Sequence, residues 1–305
     1  MKIGLQISSF SWPGGDAQIG PTLARVCRVA DDAGFDSIWV MDHLFQIRSV
    51  GEIEEPMLEG MTALGFMAAH TSRARLGLMV GAAPYRYPGL WIKATTTLDV
   101  LSEGRAWFGI GAAWNVEEAR ALGIPFPELP DRFRTLEDTL KMAHLAWTGP
   151  GEPGAAFKGK VVRATRLLNS PQVLSRPRVP ILVGGGGERT TLRLVARYAD
   201  ACNVFGAPDM LRHKFDVLRA HCEDVGRDYN TIERTNLSSV SITPDGKQGS
   251  LTPSGLVERL GNWADAGTHH TIFSVRSVWD VAKLELIGKE VLPQVRSLGE
   301  PSPLT

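Results

Sequence analysis

Short apolar runs punctuate the chain at residues 3–7, 37–40, 76–80, 107–110, 180–183, 202–205, 236–242 and 271–275. They carry β-branched or aromatic residues and are nearly continuous rather than alternating, the pattern of parallel strands covered on both faces. Between most of them the period becomes helical. Leu23, Val26, Cys27 and Ala30 fall at i, i+3, i+4 and i+7; Leu136, Leu140, Ala143 and Trp147 make a second stripe, and Leu256, Leu260, Trp263 and Ala264 a third. The joins agree, since Gly34 and Gly267 stand just past a helical stretch and ahead of the next run.

Alternating strands and helices, joined by right-handed crossovers, give an α/β sheet. Roughly eight such units in this length match a closed (β/α)8 TIM barrel better than an open, doubly wound sheet. Two stretches interrupt the repeat: residues 42–60, a mixed insertion, and residues 149–177, rich in glycine and proline with a possible hairpin at 158–168. Loops this long carry function or lie over a site. The second also reads as a linker, but the run at 180–183 resumes the same alternation, which favours a single domain over 1–305. The tail beyond Leu298, GEPSPLT, is expected to fray.

Composition narrows the function. Of 305 residues, 43% are hydrophobic, enough for a substantial core, and 33 basic residues balance 33 acidic ones. No global field attracts nucleic acid or an anionic membrane, so both are discounted as partners in favour of a small molecule. Cys27, Cys202 and Cys222 are dispersed and odd in number, which fits a reduced compartment rather than a disulfide framework. The opening MKIGLQI reads as a strand rather than a signal peptide, and no stretch approaches the roughly 18 apolar residues of a membrane span, so the expected location is cytoplasmic.

A barrel collects its chemistry at the C-terminal ends of its strands. The second run ends on Asp42 and His43, where an imidazole that titrates near neutrality has a carboxylate beside it. The pair reads either as a proton-transfer couple or as a capped turn with a satisfied polar neighbour, and its place at a strand end favours the first. The fourth run leads into GIGAAWN at 109–115, where Asn115 stands in place of the third glycine of a dinucleotide turn. Its small residues suit either close strand-to-helix packing or the approach of a planar ring or phosphate to the backbone. The fifth run opens into VGGGGERTT at 183–191, a glycine turn ahead of a helix without the Lys-Ser/Thr of a nucleoside-triphosphate loop. His269 and His270 are neighbours in a strand, point to opposite faces and cannot chelate one ion from the same side, so no metal is expected. Neither a strand-end lysine for a Schiff base nor a GxSxG elbow is found.

Taken in order, GFDSIWVMDH (34–43), LGLMV (76–80) followed by YRYP (85–88), TTTLDVLSEGR (95–105), GIGAAWN (109–115) and GGGGERTTLRLVARYADA (184–201) resemble the landmarks of the luciferase-like monooxygenase superfamily. The resemblance runs from Lys2 to about Arg227. LEG (58–60), IPFPE (124–128) and HCEDVGR (221–227) place it nearest the branch of coenzyme F420-dependent oxidoreductases. It implies a barrel with a deazaflavin, or FMN in the rival monooxygenase reading, across its C-terminal mouth, and a homodimer. Asp42 and His43 match the pair near the ring, with His43 as proton donor or acceptor. Met79, Val80 and Gly81 match a strand-three bulge that holds a non-proline cis peptide in relatives. Gly111, Ala112, Ala113, Trp114 and Asn115 match the loop beside the ring and ribityl chain. Gly184, Gly185, Gly186 and Gly187, with the N–H groups of Glu188 and Arg189, match the cofactor phosphate site. That turn follows the fifth strand, whereas barrels usually hold phosphate after strands seven and eight. The superfamily's sugar-phosphate dehydrogenases use a glutamate near the start of the strand-four loop. Here Trp114 stands there, with Glu117 and Glu118 further on, which argues against a sugar-phosphate substrate. A non-catalytic cofactor-binding barrel is the more distant alternative.

Overall fold

The computed structural model describes residues 1–148 and 154–298. The eight apolar runs become β1 (Lys2–Ile7), β2 (Ser37–Val40), β3 (Arg75–Leu78), β4 (Ala106–Gly111), β5 (Ile181–Gly184), β6 (Ala201–Val204), β7 (Glu233–Val240) and β8 (His270–Val275). Each pairs in parallel with the next, and β8 returns to β1 with Lys2 opposite His270 and Gln6 opposite Ser274. The β3–β4 pairing, Leu76 opposite Ala106, closes the ring. The fold is the (β/α)8 barrel expected from the sequence, and the open sheet is excluded.

Apolar side chains fall into two populations because each strand is covered on both faces. Trp39, Met79, Trp107, Leu182, Ala201 and Ile272 pack together as one separate cluster. The larger core joins the strands to the helices α1 (Ile19–Ala33), α2 (Gly60–Ala68), α3 (Pro88–Leu101), α4 (Val116–Ala121), α5 (Leu129–Trp147), α6 (Thr191–Tyr198), α7 (Pro208–Asp224) and α8 (Pro253–Asp265). The three helical stripes read from the sequence lie on this core, with Ala264 only partly buried.

The site is positioned by how the strands end. β3 stops at Leu78, two residues short of its expected end, and the Met79–Val80 peptide that follows is cis. Pairing resumes at Gly81–Ala82, opposite Ile110 and Gly111 of β4. β4 passes this step only because residue 109 has no side chain: a Cβ there would lie 1.9 Å from the Leu78 carbonyl oxygen. The first insertion runs without helix or strand to Glu59, whose carboxylate caps α2 by accepting from the Met61 and Thr62 N–H groups at 3.2 and 2.7 Å.

In the second insertion, Phe157–Lys158 pairs antiparallel with Arg163–Ala164, a short form of the expected hairpin. Buried Asp138 of α5 ties it down by accepting from the N–H groups of Val161 and Val162 at 2.7 and 3.0 Å. Residues 149–153 and the tail at 299–305, where fraying is expected, lie outside the described residues. Among the described residues no helix is long and apolar enough to cross a membrane.

Candidate active site

A cavity of about 1040 Å³ opens at the C-terminal mouth, and the ends of all eight strands contribute to its wall. Its size lies at the upper end of ordinary ligand pockets, room for an extended planar ligand and a small second molecule. Asp42, His43, Met79, Val80, Gly81, Gly111, Ala112, Ala113, Trp114, Asn115, Gly184 and Gly185 all line it.

His43 does not take its partner from Asp42. Its Nδ1 lies 2.6 Å from Oε1 of Glu118, a fully buried carboxylate on α4. The same carboxylate accepts from the N–H groups of Leu44 and Phe45 at 2.6 and 3.1 Å and from the Tyr85 hydroxyl at 2.8 Å. Burial pushes the Glu118 carboxyl up, but the bonds from His43, Phe45 and Leu44 outweigh it and hold the group below the usual carboxylate range. An ionised carboxylate only accepts, so Nδ1 carries the imidazole proton and Nε2 is the nitrogen left for exchange. Nε2 has no hydrogen-bond partner among the described residues. Asp42 instead forms a fork with Arg86, at 2.5 and 2.7 Å, and accepts the Ala82 N–H at 2.8 Å, which fixes the chain after the strand-three step. Glu59 adds a second carboxylate to Arg86 at 2.5 Å. Burial raises the Glu59 carboxyl, but Arg86 and Thr62 bring it down to about 2.

Trp114 meets the His43 ring edge-on, with centroids 5.4 Å apart, and is 66% exposed. The loop it belongs to is pinned from both sides. Arg132 of α5 donates to the Ala113 carbonyl at 2.6 Å, and the Tyr85 hydroxyl, whose one proton Glu118 shares, lies 3.0 Å from that of Asn115. Asn115 then caps α4 by accepting from the Glu117 N–H.

Of the glycine turn, Gly184, Gly185 and Thr191 reach the cavity; Gly186, Gly187, Glu188 and Arg189 do not line it. Gly185 has φ 122° and donates its N–H to the Asn203 carbonyl at 3.0 Å. The N–H groups of Gly186, Gly187, Glu188 and Arg189 find no partner among the described residues. They precede the N-terminus of α6, four donors beside the positive end of a helix dipole. The Glu188 side chain points away to α7, where it meets Lys214 at 2.5 Å and His213 at 3.0 Å.

His269 and His270 lie at the other end of the barrel. His270 bridges Ser37 and Glu233, and His269 contacts the Arg234 guanidinium. Among the described residues no group of three or more His, Cys, Asp and Glu side chains is placed to hold a metal ion.

Fold and mouth together define a (β/α)8-barrel enzyme whose candidate site is the cavity at the strands' C-terminal ends. The profile of the luciferase-like monooxygenases matches residues 1–248, and the chain belongs to that family. An F420-dependent glucose-6-phosphate dehydrogenase of Kineococcus radiotolerans is 30% identical over 87% of this chain and 73% of its own length. One from Nakamurella multipartita is 27% identical over 95% of this chain and 97% of its own. Among solved structures, an F420-dependent secondary alcohol dehydrogenase in complex with an F420-acetone adduct superposes with a TM-score of 0.79 at 18% identity, over 97% of this chain and 99% of that one.

Proposed function

We propose that the protein is a coenzyme F420-dependent oxidoreductase that exchanges a hydride between C5 of the deazaflavin and a small organic substrate, with His43 giving or taking the substrate proton. Bound there, F420 would supply hydride chemistry at a ring carbon, and the protein orientation and a proton relay. The observation that carries this reading is an imidazole with a free Nε2 on the same mouth as Gly184 and Gly185, the part of the glycine turn that leads directly into four unpartnered N–H donors. Relatives that match over most of this chain and are named F420-dependent dehydrogenases support it.

Residues 79–81 and 111–115 would wall the ring, and the donors of residues 186–189 would take the cofactor phosphate, a fit to the chemistry of that donor set. Glu118 holds the His43 ring in one tautomer, and Asp42 acts on the site through Arg86 and the strand-three step. A homodimer belongs to the same reading and is read by light scattering.

The test is titration of the purified apoprotein with F420 and with FMN, in air and without it. Tight binding selective for F420 with no oxygen uptake is expected. FMN binding with oxygen uptake would replace this reading by a monooxygenase, and F420 binding without turnover on any substrate would leave a non-catalytic carrier. Gly185→Val should weaken F420 binding, because a β-branched residue at that φ moves the turn; unchanged binding would return the glycines to a tight turn.

A further inference from the structure

We propose that Arg276, with the hydroxyls of Ser239 and Ser277, forms a second anion receptor in the mouth that holds a carboxylate or phosphate group of the substrate. The proposal rests on reading the mouth as an F420 site, with the β5 turn taken by the cofactor phosphate.

Arg276 follows β8 directly, lines the cavity and is exposed. Its backbone is fixed at both ends: the N–H donates to Val240 at 2.9 Å, and the carbonyl accepts from Lys283 Nζ at 2.9 Å. Its guanidinium makes no ion pair or hydrogen bond among the described residues. The other charged or titratable groups on the wall are engaged, Asp42 by Arg86 and His43 by Glu118. The wall therefore presents one unpaired positive charge.

The hydroxyls around it point the same way chemically. Those of Ser239 and Ser277 have no partner among the described residues, and both residues line the cavity. A guanidinium without a counter-ion on a wall that also carries two free hydroxyls makes a site that gains from an anion.

The strand order separates this receptor from the cofactor seat. Around the ring β8 and β2 flank β1, and β5 lies opposite β1. Arg276 and His43 thus stand on either side of β1, with the glycine turn across the mouth. A substrate held by its anionic end at Arg276 reaches His43 over Ser8 and Ser9 without touching the β5 turn, and Trp12 and Trp279 offer apolar surface on the way. The chemistry fits a small organic acid or phosphate ester with a partly apolar body.

Calorimetry on the F420-loaded protein, whose glycine seat is filled, with inorganic phosphate and with acetate as probes, tests this. One of the two should bind, and which one names the group. Arg276→Ala should weaken that binding by about 10- to 100-fold, and Arg276→Lys should recover part of it. F420 affinity should stay within about twofold of wild type in both variants. Equal anion binding in wild type and Arg276→Ala, or no anion binding at all, overturns the proposal. So does a loss of F420 binding in Arg276→Ala, which would assign the residue to the cofactor. Should wild type bind no F420, the functional reading fails by itself. The same titrations on Gly185→Val apoprotein, with and without Arg276→Ala, then still decide the receptor.

Discussion

Glu118 accepts hydrogen bonds from His43, Leu44, Phe45 and Tyr85 at once. The sequence made Asp42 and His43 legible as a pair at a strand end, but not their true partners. Glu118 stands 75 residues from His43, and at the third position after its helix cap it looks like half of a local capping box. Only closure of the barrel turns it inward. Arg86 was likewise visible only as part of YRYP, and its fork with Asp42 depends on the step after β3. Three outcomes follow at this scale. His43→Ala should leave F420 binding near normal and lower turnover by about 10²- to 10⁴-fold, the span of general acid-base catalysis; unchanged turnover defeats its assigned role. Glu118→Gln should keep the fold and lower kcat by roughly 10-fold or more with little change in cofactor affinity, because the ring loses a charged acceptor but not its place. Glu118→Ala leaves the Leu44 and Phe45 N–H groups without their acceptor, so urea unfolding should register a further loss of about 1–3 kcal/mol.

Among the elements, strands were the more legible because their apolar runs are dictated by burial on both faces, which sequence displays directly. Where they end is a tertiary matter. Residues 76–80 read as one run, yet the ladder breaks after Leu78, where β4 passes so closely that a Cβ on residue 109 would meet the Leu78 carbonyl oxygen. The helix stripes were readable for α1, α5 and α8, which are long enough to repeat. The six residues of α4 hold too few turns to show a period, and Glu118, the partner of His43, lies there. Gly109→Ala is therefore expected to cost about 1–3 kcal/mol or more and to disturb ligand binding as well, since the contact sets the strand-three wall. A variant with wild-type unfolding and wild-type F420 affinity would contradict this account.

For the molecule as a whole, the eight-unit count was enough to name the barrel, whereas the polar cluster that plugs its far end was not foreseen. His269 there is driven down to about 4 by burial and by Arg234. With an unfolded value near 6.5, the unfolded chain binds a proton that the folded one refuses between these limits, so stability present above pH 6.5 is lost as pH falls toward 4. The slope is at most about 1.4 kcal/mol per pH unit for one proton. Glu233 is raised by burial but brought to about 2 by His270 and Lys2. Its contribution is present above the unfolded carboxylate value, roughly 4.3, and goes as pH falls through 2. Urea unfolding against pH should show a first decline below pH 6.5 that His269→Gln flattens, and a second below about pH 4.5 that it leaves in place. The exposed indole of Trp114, edge-on to His43 at the cavity rim, gives the protein a built-in optical probe. A ligand entering the mouth must cover it, so stopped-flow emission compared with Trp114→Phe would time arrival and departure separately from chemistry, without a label.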